Sequence, residues 1–168
     1  MGRVANETKG VNVTEQNANE KPEAKAKAKT PISKEQAEAE FNQMAEDWDL
    51  FIDEDNMSDD DLDGFQKEKG RIINAFMRGR ATYQPDGAVL NYELSSSMGD
   101  LAVVKFEEPT GAAWVKMGEG GNSKKSNNVV RVNRFLGEST GVATAVFGKM
   151  KGSDYKFCQA VALLFLGS

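Results

Sequence analysis

The sequence predicts an α+β protein: a small antiparallel meander of about three strands, packed with short C-terminal helices and preceded by an amphipathic helical arm and a disordered N-terminus. Three observations predict it. Apolar residues recur at helical spacing between residues 33 and 57, they alternate between about 80 and 107, and short apolar runs punctuated by glycine fill 110–168. Residues 1–32 are then a tail, 33–57 an acidic helical arm and linker, and 58–168 the core domain.

Residues 1–30 contain no Leu, Ile, Phe, Trp or Tyr and end in an Ala-Lys repeat, which cannot bury enough apolar surface to offset its ordering entropy. No apolar h-region of a signal peptide is present. The arm starts at Ser33, where Ser33 and Gln36 spell a capping box. Ala37, Phe41, Met44, Trp48 and Phe51 then form one apolar stripe, which packs either on the core domain or on a partner helix. A second helix is capped by Ser58 and buries Leu62, Phe65, Ile72, Ile73 and Phe76.

Pro85-Asp86-Gly87 predicts a hairpin turn, with Pro setting φ and Gly accepting positive φ. Ala81 to Tyr83 precede it as a strand, and Leu90, Tyr92 and Leu94 follow as the buried side of another. Ser95 to Asp100 reads as a loop and Leu101 to Phe106 as the third strand. Ala112 to Met117 is a short helix, followed by a polar Gly-rich loop. Three helices close the chain: Val129 to Leu136 with Gly137 past its end, roughly Val142 to Met150, and one after Ser153. The last is apolar nearly all round in its second half, which suits either a central core helix or a sticky surface for a partner.

Composition excludes most chemistry. The 168 residues hold 21 Lys and Arg against 26 Asp and Glu, with one Cys and no His. Ser-His-Asp and Cys-His nucleophile systems, His-ligated zinc and imidazole acid/base catalysis are all excluded. Cys158 alone makes neither an internal disulfide nor a cysteine-rich metal site. No catalytic residue, cofactor or enzyme activity is expected. Asp59, Asp61, Asp63 and Gly64 match the first half of an EF-hand loop, but position nine is Lys67 and position twelve is Gly70, so the cage is incomplete and calcium is rejected.

The net charge of −5 averages three unlike stretches: +2 over residues 1–30, −11 over 31–70 and +4 over 71–168. The basic part falls far short of a nucleic-acid footprint. The longest apolar run, residues 160–166, is too short to span a bilayer. A soluble chain without nucleic-acid or membrane partners is expected.

The run Arg71-Ile72-Ile73-Asn74-Ala75-Phe76-Met77-Arg78-Gly79-Arg80, a Pro-Asp-Gly hairpin, and the phrase Phe106-Glu107-Glu108-Pro109-Thr110-Gly111-Ala112 resemble a bacteriophage tail assembly chaperone. Phe135-Leu136-Gly137-Glu138-Ser139-Thr140-Gly141-Val142 is similar to the helix-turn phrase that follows in that family, and Tyr155 to Leu166 to its closing helix. The resemblance covers roughly residues 67–168. It implies a non-enzymatic protein of the host bacterial cytoplasm that keeps the helical tape measure protein soluble while tail tube protein polymerises around it, and that is absent from the mature virion. A longer frameshifted product often accompanies such proteins. The N-terminal arm, residues 1–57, departs from the family pattern.

Apolar periodicity nominates Tyr155, Phe157, Val161, Leu164 and Phe165 for client contact, with Phe41, Trp48 and Phe51 as a second group; self-association is a further expectation. Two rival functions remain open. One is a structural phage protein, as a head–tail completion or minor tail subunit. The other is an acidic nucleic-acid mimic that inhibits a host protein through residues 35–63.

Overall fold

The computed structural model describes residues 1–2, 30–50, 52–119 and 128–166. The tail expected to be disordered therefore lies almost wholly outside the described residues, as do Phe51 and the Gly-rich loop after residue 119. In chain order the elements are α1 (Lys34–Asp47), α2 (Asp59–Met77), β1 (Ala81–Gln84), β2 (Val89–Met98), β3 (Leu101–Phe106), α3 (Gly111–Gly118), α4 (Asn128–Thr140), α5 (Thr144–Phe147) and α6 (Gly152–Leu166). The fold is α+β, with one antiparallel sheet in the order β1-β2-β3.

Helix α1 begins where the capping box predicts, and both arms of the box form: the Gln36 backbone N–H donates to Ser33 Oγ, and the Ser33 N–H donates to Gln36 Oε1. The stripe Ala37, Phe41, Met44 and Trp48 is buried in the same cluster as Ile72, Leu90 and Phe165, so the arm docks on the core domain rather than waiting for a partner helix. It ends in a Schellman turn, with Asp49 at φ 48 and the Leu50 N–H donating to the Ala45 carbonyl at 2.9 Å. Helix α2 ends in the same way, but there Gly79 takes the positive φ.

The hairpin forms with one change from expectation. Residues 85–87 make a 3-10 turn, and the left-handed residue is Ala88, at φ 49 and ψ 45, rather than Gly87. Trp48 explains how a Cβ is tolerated there: its indole Nε1–H donates to the Ala88 carbonyl at 2.8 Å and fixes the turn on the arm. Strand β2 also runs further than expected, through Met98, because the pairing of Met98 with Leu101 across Gly99-Asp100 continues the ladder beyond an irregularity between Glu93 and Met98. Gly99, at φ 63, supplies the conformation that a two-residue hairpin loop needs at its first position.

Gly137 does not end α4. It lies inside the helix, where a Cβ would come within 2.8 Å of Thr144 Oγ1, so its role is close approach to the following segment. Gly141, at φ 67, follows the last helical residue and ends the helix instead. The helix expected over 142–150 shrinks to the four residues of α5. Helix α6 crosses the core and packs against α2 and α4.

Candidate functional site

Client contact through α6 requires exposed side chains, and the structure does not provide them. Phe157 is 4% exposed and stacks on Tyr92 with ring centres 3.7 Å apart. Val161, Leu164 and Phe165 are buried as well, and Phe165 packs on both Trp48 and Phe135. Tyr155 is half-buried, with its hydroxyl donating to Asn133 Oδ1 at 2.9 Å. Phe41 and Trp48 are core residues, while Phe51 lies outside the described residues. Phe51 apart, the nominated side chains are buried in the core or, for Tyr155, half-buried against it. Periodicity measures how apolar a face is, not which neighbour covers it.

The start of α6 carries the one buried charged residue among the described residues. Asp154 is 1% exposed. Its Oδ1 accepts from Arg80 Nη2 at 2.7 Å and from the Tyr92 hydroxyl at 3.0 Å. Its Oδ2 accepts from the Ser95 backbone N–H at 3.1 Å and the Ser95 hydroxyl at 2.7 Å. The guanidinium of Arg80 also lies 4.8 Å over the Tyr92 ring. Burial pushes the Asp154 carboxyl up, but the hydrogen bonds from Arg80, Ser95 and Tyr92 outweigh it and leave its pKa below the ordinary value. Burial also raises the Tyr92 phenol and pushes the Cys158 thiol up to about 12. The carboxylate is fully partnered, so the cluster is a structural tie between the link that joins α2 to β1, strand β2 and α6, with no acceptor left for a reacting group.

The acidic residues Asp59, Asp61 and Asp63 lie exposed along the first two turns of α2, in helical geometry that no calcium loop shares. Among the described residues no group of three or more His, Cys, Asp or Glu could hold a metal ion. No helix among them is long and apolar enough to cross a membrane.

What the fold does expose is an apolar surface on α3 and α4. Apart from Met1, the large hydrophobic side chains left exposed among the described residues are Trp114, at 40%, Val115, at 66%, Val129, at 48%, and Val130, and all four sit on these two helices. Helices α3 and α4 pack against each other. The indole of Trp114 rests edge-on against the buried Phe135, 5.3 Å between centres, so it is held in place while part of its surface stays open. Only Ala113 of α3 is buried. At the end of α3, Lys116 pairs with Glu119 at 3.1 Å and Arg134 of α4 donates to the Glu119 backbone carbonyl. Thr110 is the N-cap residue of α3, without a side-chain cap bond, and the Pro109-Thr110-Gly111-Ala112 phrase runs from the link after β3 into α3. The sequence did hold a signal for this site: Ala112 to Met117 is apolar on nearly every side, more than a short helix at the edge of a fold can bury.

The described residues form an α+β fold whose exposed large apolar side chains, Met1 apart, lie on one helical pair. No protein-family model matches the chain, and neither a curated protein nor a solved structure matches it.

Proposed function

We propose that this protein is a non-enzymatic phage tail assembly chaperone that binds the tape measure protein in the host cytoplasm and leaves before the virion is complete. The observation that carries the reading is the exposed apolar surface of α3 and α4 around Trp114 and Val115. A chaperone for a helical, aggregation-prone client needs apolar surface that is open before the client arrives. It also needs a body that stays folded while the client comes and goes, and the buried tie at Asp154 suits that need. The sequence phrases that resemble the family include the start of α3 and the second half of α4, besides the end of α2, the hairpin and α6.

Co-expression with the tape measure protein tests the proposal. The wild-type chain is expected to raise the soluble fraction of the client and to co-purify with it, while Val115→Glu loses both with its far-UV circular dichroism unchanged. Client solubility that is indifferent to Val115→Glu contradicts the proposed surface. Mass spectrometry of purified virions separates a chaperone, which is missing, from a minor tail subunit, which is present at fixed stoichiometry.

A further inference from the structure

A pocket of about 270 Å³ lies between the C-terminal half of α2, the link that follows it, strand β2 and the first two turns of α6. Its walls are cationic. Arg71 of α2, Arg78 and Arg80 of the link and Lys156 of α6 all line it, and no carboxylate does. Two of the four charges are neutralised from outside the pocket, Arg71 by Glu68 and Arg80 by Asp154. The exposed side chains of Arg78 and Lys156 form no hydrogen bond or ion pair among the described residues. The fold thus brings two uncommitted cations from distant parts of the sequence to one concave site, where they repel each other until an anion arrives.

The remaining lining suits an anion as well. Arg80 is held in place by Asp154 at 2.7 Å and by the Glu93 carbonyl at 2.6 Å, and it lies over the Tyr92 ring, which is itself stacked on Phe157. A guanidinium fixed in this way loses little freedom when it meets a ligand. Ser153 adds a hydroxyl donor at the rim.

We propose that this pocket binds a phosphate monoester group. Two uncommitted cations match its charge of about −1.5 to −2, whereas a carboxylate brings only one charge. Guanidinium forks also match phosphate oxygens in pairs. A nucleic-acid strand presents one charge per phosphate and needs a longer track of cations than this pocket holds. The volume falls below the roughly 300–1,000 Å³ of pockets that enclose whole small molecules, so the site takes the phosphate and leaves the body that carries it outside. The pocket shares no residue with the α3–α4 surface, so phosphate binding and client binding stand or fall separately.

Titration of the full chain, followed by backbone amide resonances at constant ionic strength, tests the site. The probes are inorganic phosphate and phosphoserine blocked at both ends. Each should give saturating shifts at Arg78, Arg80, Ser153 and Lys156, with a Kd of about 0.1–10 mM. Tighter binding of the blocked phosphoserine assigns the phosphate to a modified partner protein, and tighter binding of inorganic phosphate to a free compound; both support the site. Arg78→Gln combined with Lys156→Gln should weaken binding about tenfold or more and leave the Tm unchanged, and Lys156→Gln alone about threefold. Lys67→Gln combined with Lys105→Gln removes the same charge at exposed side chains outside the pocket and should change Kd less than about twofold. Shifts that fail to saturate, shifts confined to other residues, or equal weakening by the two pairs of substitutions would each overturn the proposal.

Discussion

Helices α3 and α6 are both apolar on nearly every side, and the fold puts them to opposite uses. In α6 the side chains from Phe157 to Phe165 meet α2, α4 and the sheet, and Asp154 locks its first turn to Arg80, Tyr92 and Ser95. In α3 only Ala113 is buried; Trp114 rests on Phe135 with part of its surface open, and Val115 is exposed. Similar composition thus gives a core beam in one place and an open surface in the other. What separates them is position in the topology. Helix α6 crosses a body that already has neighbours on several sides, whereas α3 leaves the sheet at its edge and meets α4 alone on a large scale. Apolar character marks where burial is favourable, and the supply of neighbours decides whether burial happens.

If this contrast is right, substitutions in the two helices should differ sharply in cost. Asp154→Ala should have the largest effect, about 3–5 kcal/mol of stability, since it takes the acceptor from the buried Tyr92 hydroxyl, breaks the pair with the partly buried Arg80 guanidinium and frees Ser95. Urea unfolding of the full chain measures it. A loss under about 1 kcal/mol would mean the cluster is not the tie described here. Phe157→Ala should follow closely, at about 3 kcal/mol or more, from the lost stacking on Tyr92 and the cavity left behind. By the same measurement Val115→Glu should shift stability by no more than about 0.5 kcal/mol.

Acid and base should strike α6 first. The Asp154 pKa is lowered in the folded state, so its contribution is present above the unfolded value, near 4, and is lost as pH falls below that through the folded value. The Cys158 thiol is raised from 9.0 to about 12, so its contribution is complete below pH 9 and is lost as pH rises toward about 12. At pH 8 the buried thiol should accordingly resist alkylation in the folded chain and react at once in denaturant; ready native labelling would show that α6 is not buried as described.

A small effect of the opposite sign is expected outside both helices. Ala88 and Asp49 sit at positive φ without being glycine, one in the hairpin that Trp48 clamps and one at the end of α1. Ala88→Gly and Asp49→Gly should each raise stability by about 0.5–1 kcal/mol, against the direction expected of most substitutions. A destabilising Ala88→Gly would locate the stability of the turn in the alanine methyl group instead.

Much of the fold was legible in the sequence, because its signals were local. The Ser33 capping box, the α1 stripe, the Ser58 cap, the Pro-Asp turn and the alternation of Leu90, Tyr92 and Leu94 all act within a few residues. The misjudged features depend on distant partners. Gly137 reads as a helix stop until Thr144 is seen packed against it, and Ala88 accepts a glycine's conformation because Trp48 reaches it from 40 positions away. Ser95 reads as loop, yet its backbone and hydroxyl serve a carboxylate 59 positions on. Exposure was the hardest feature to read, for the same reason. Periodicity named Phe157, Val161 and Leu164, which the fold buries, and passed over Trp114 and Val115, which it leaves exposed.

Hydrogen exchange of the full chain, free and with the tape measure protein bound, tests the central claim that α3–α4 is the partner surface and α6 the core. The account predicts that amides of α3 (Gly111–Gly118) and α4 (Asn128–Thr140) exchange quickly in the free chain and gain protection in the complex. Those of α6 should be the most protected in both states. Protection gained on α6 with none on α3 and α4 would contradict it, and would return the client to the helix that this fold buries.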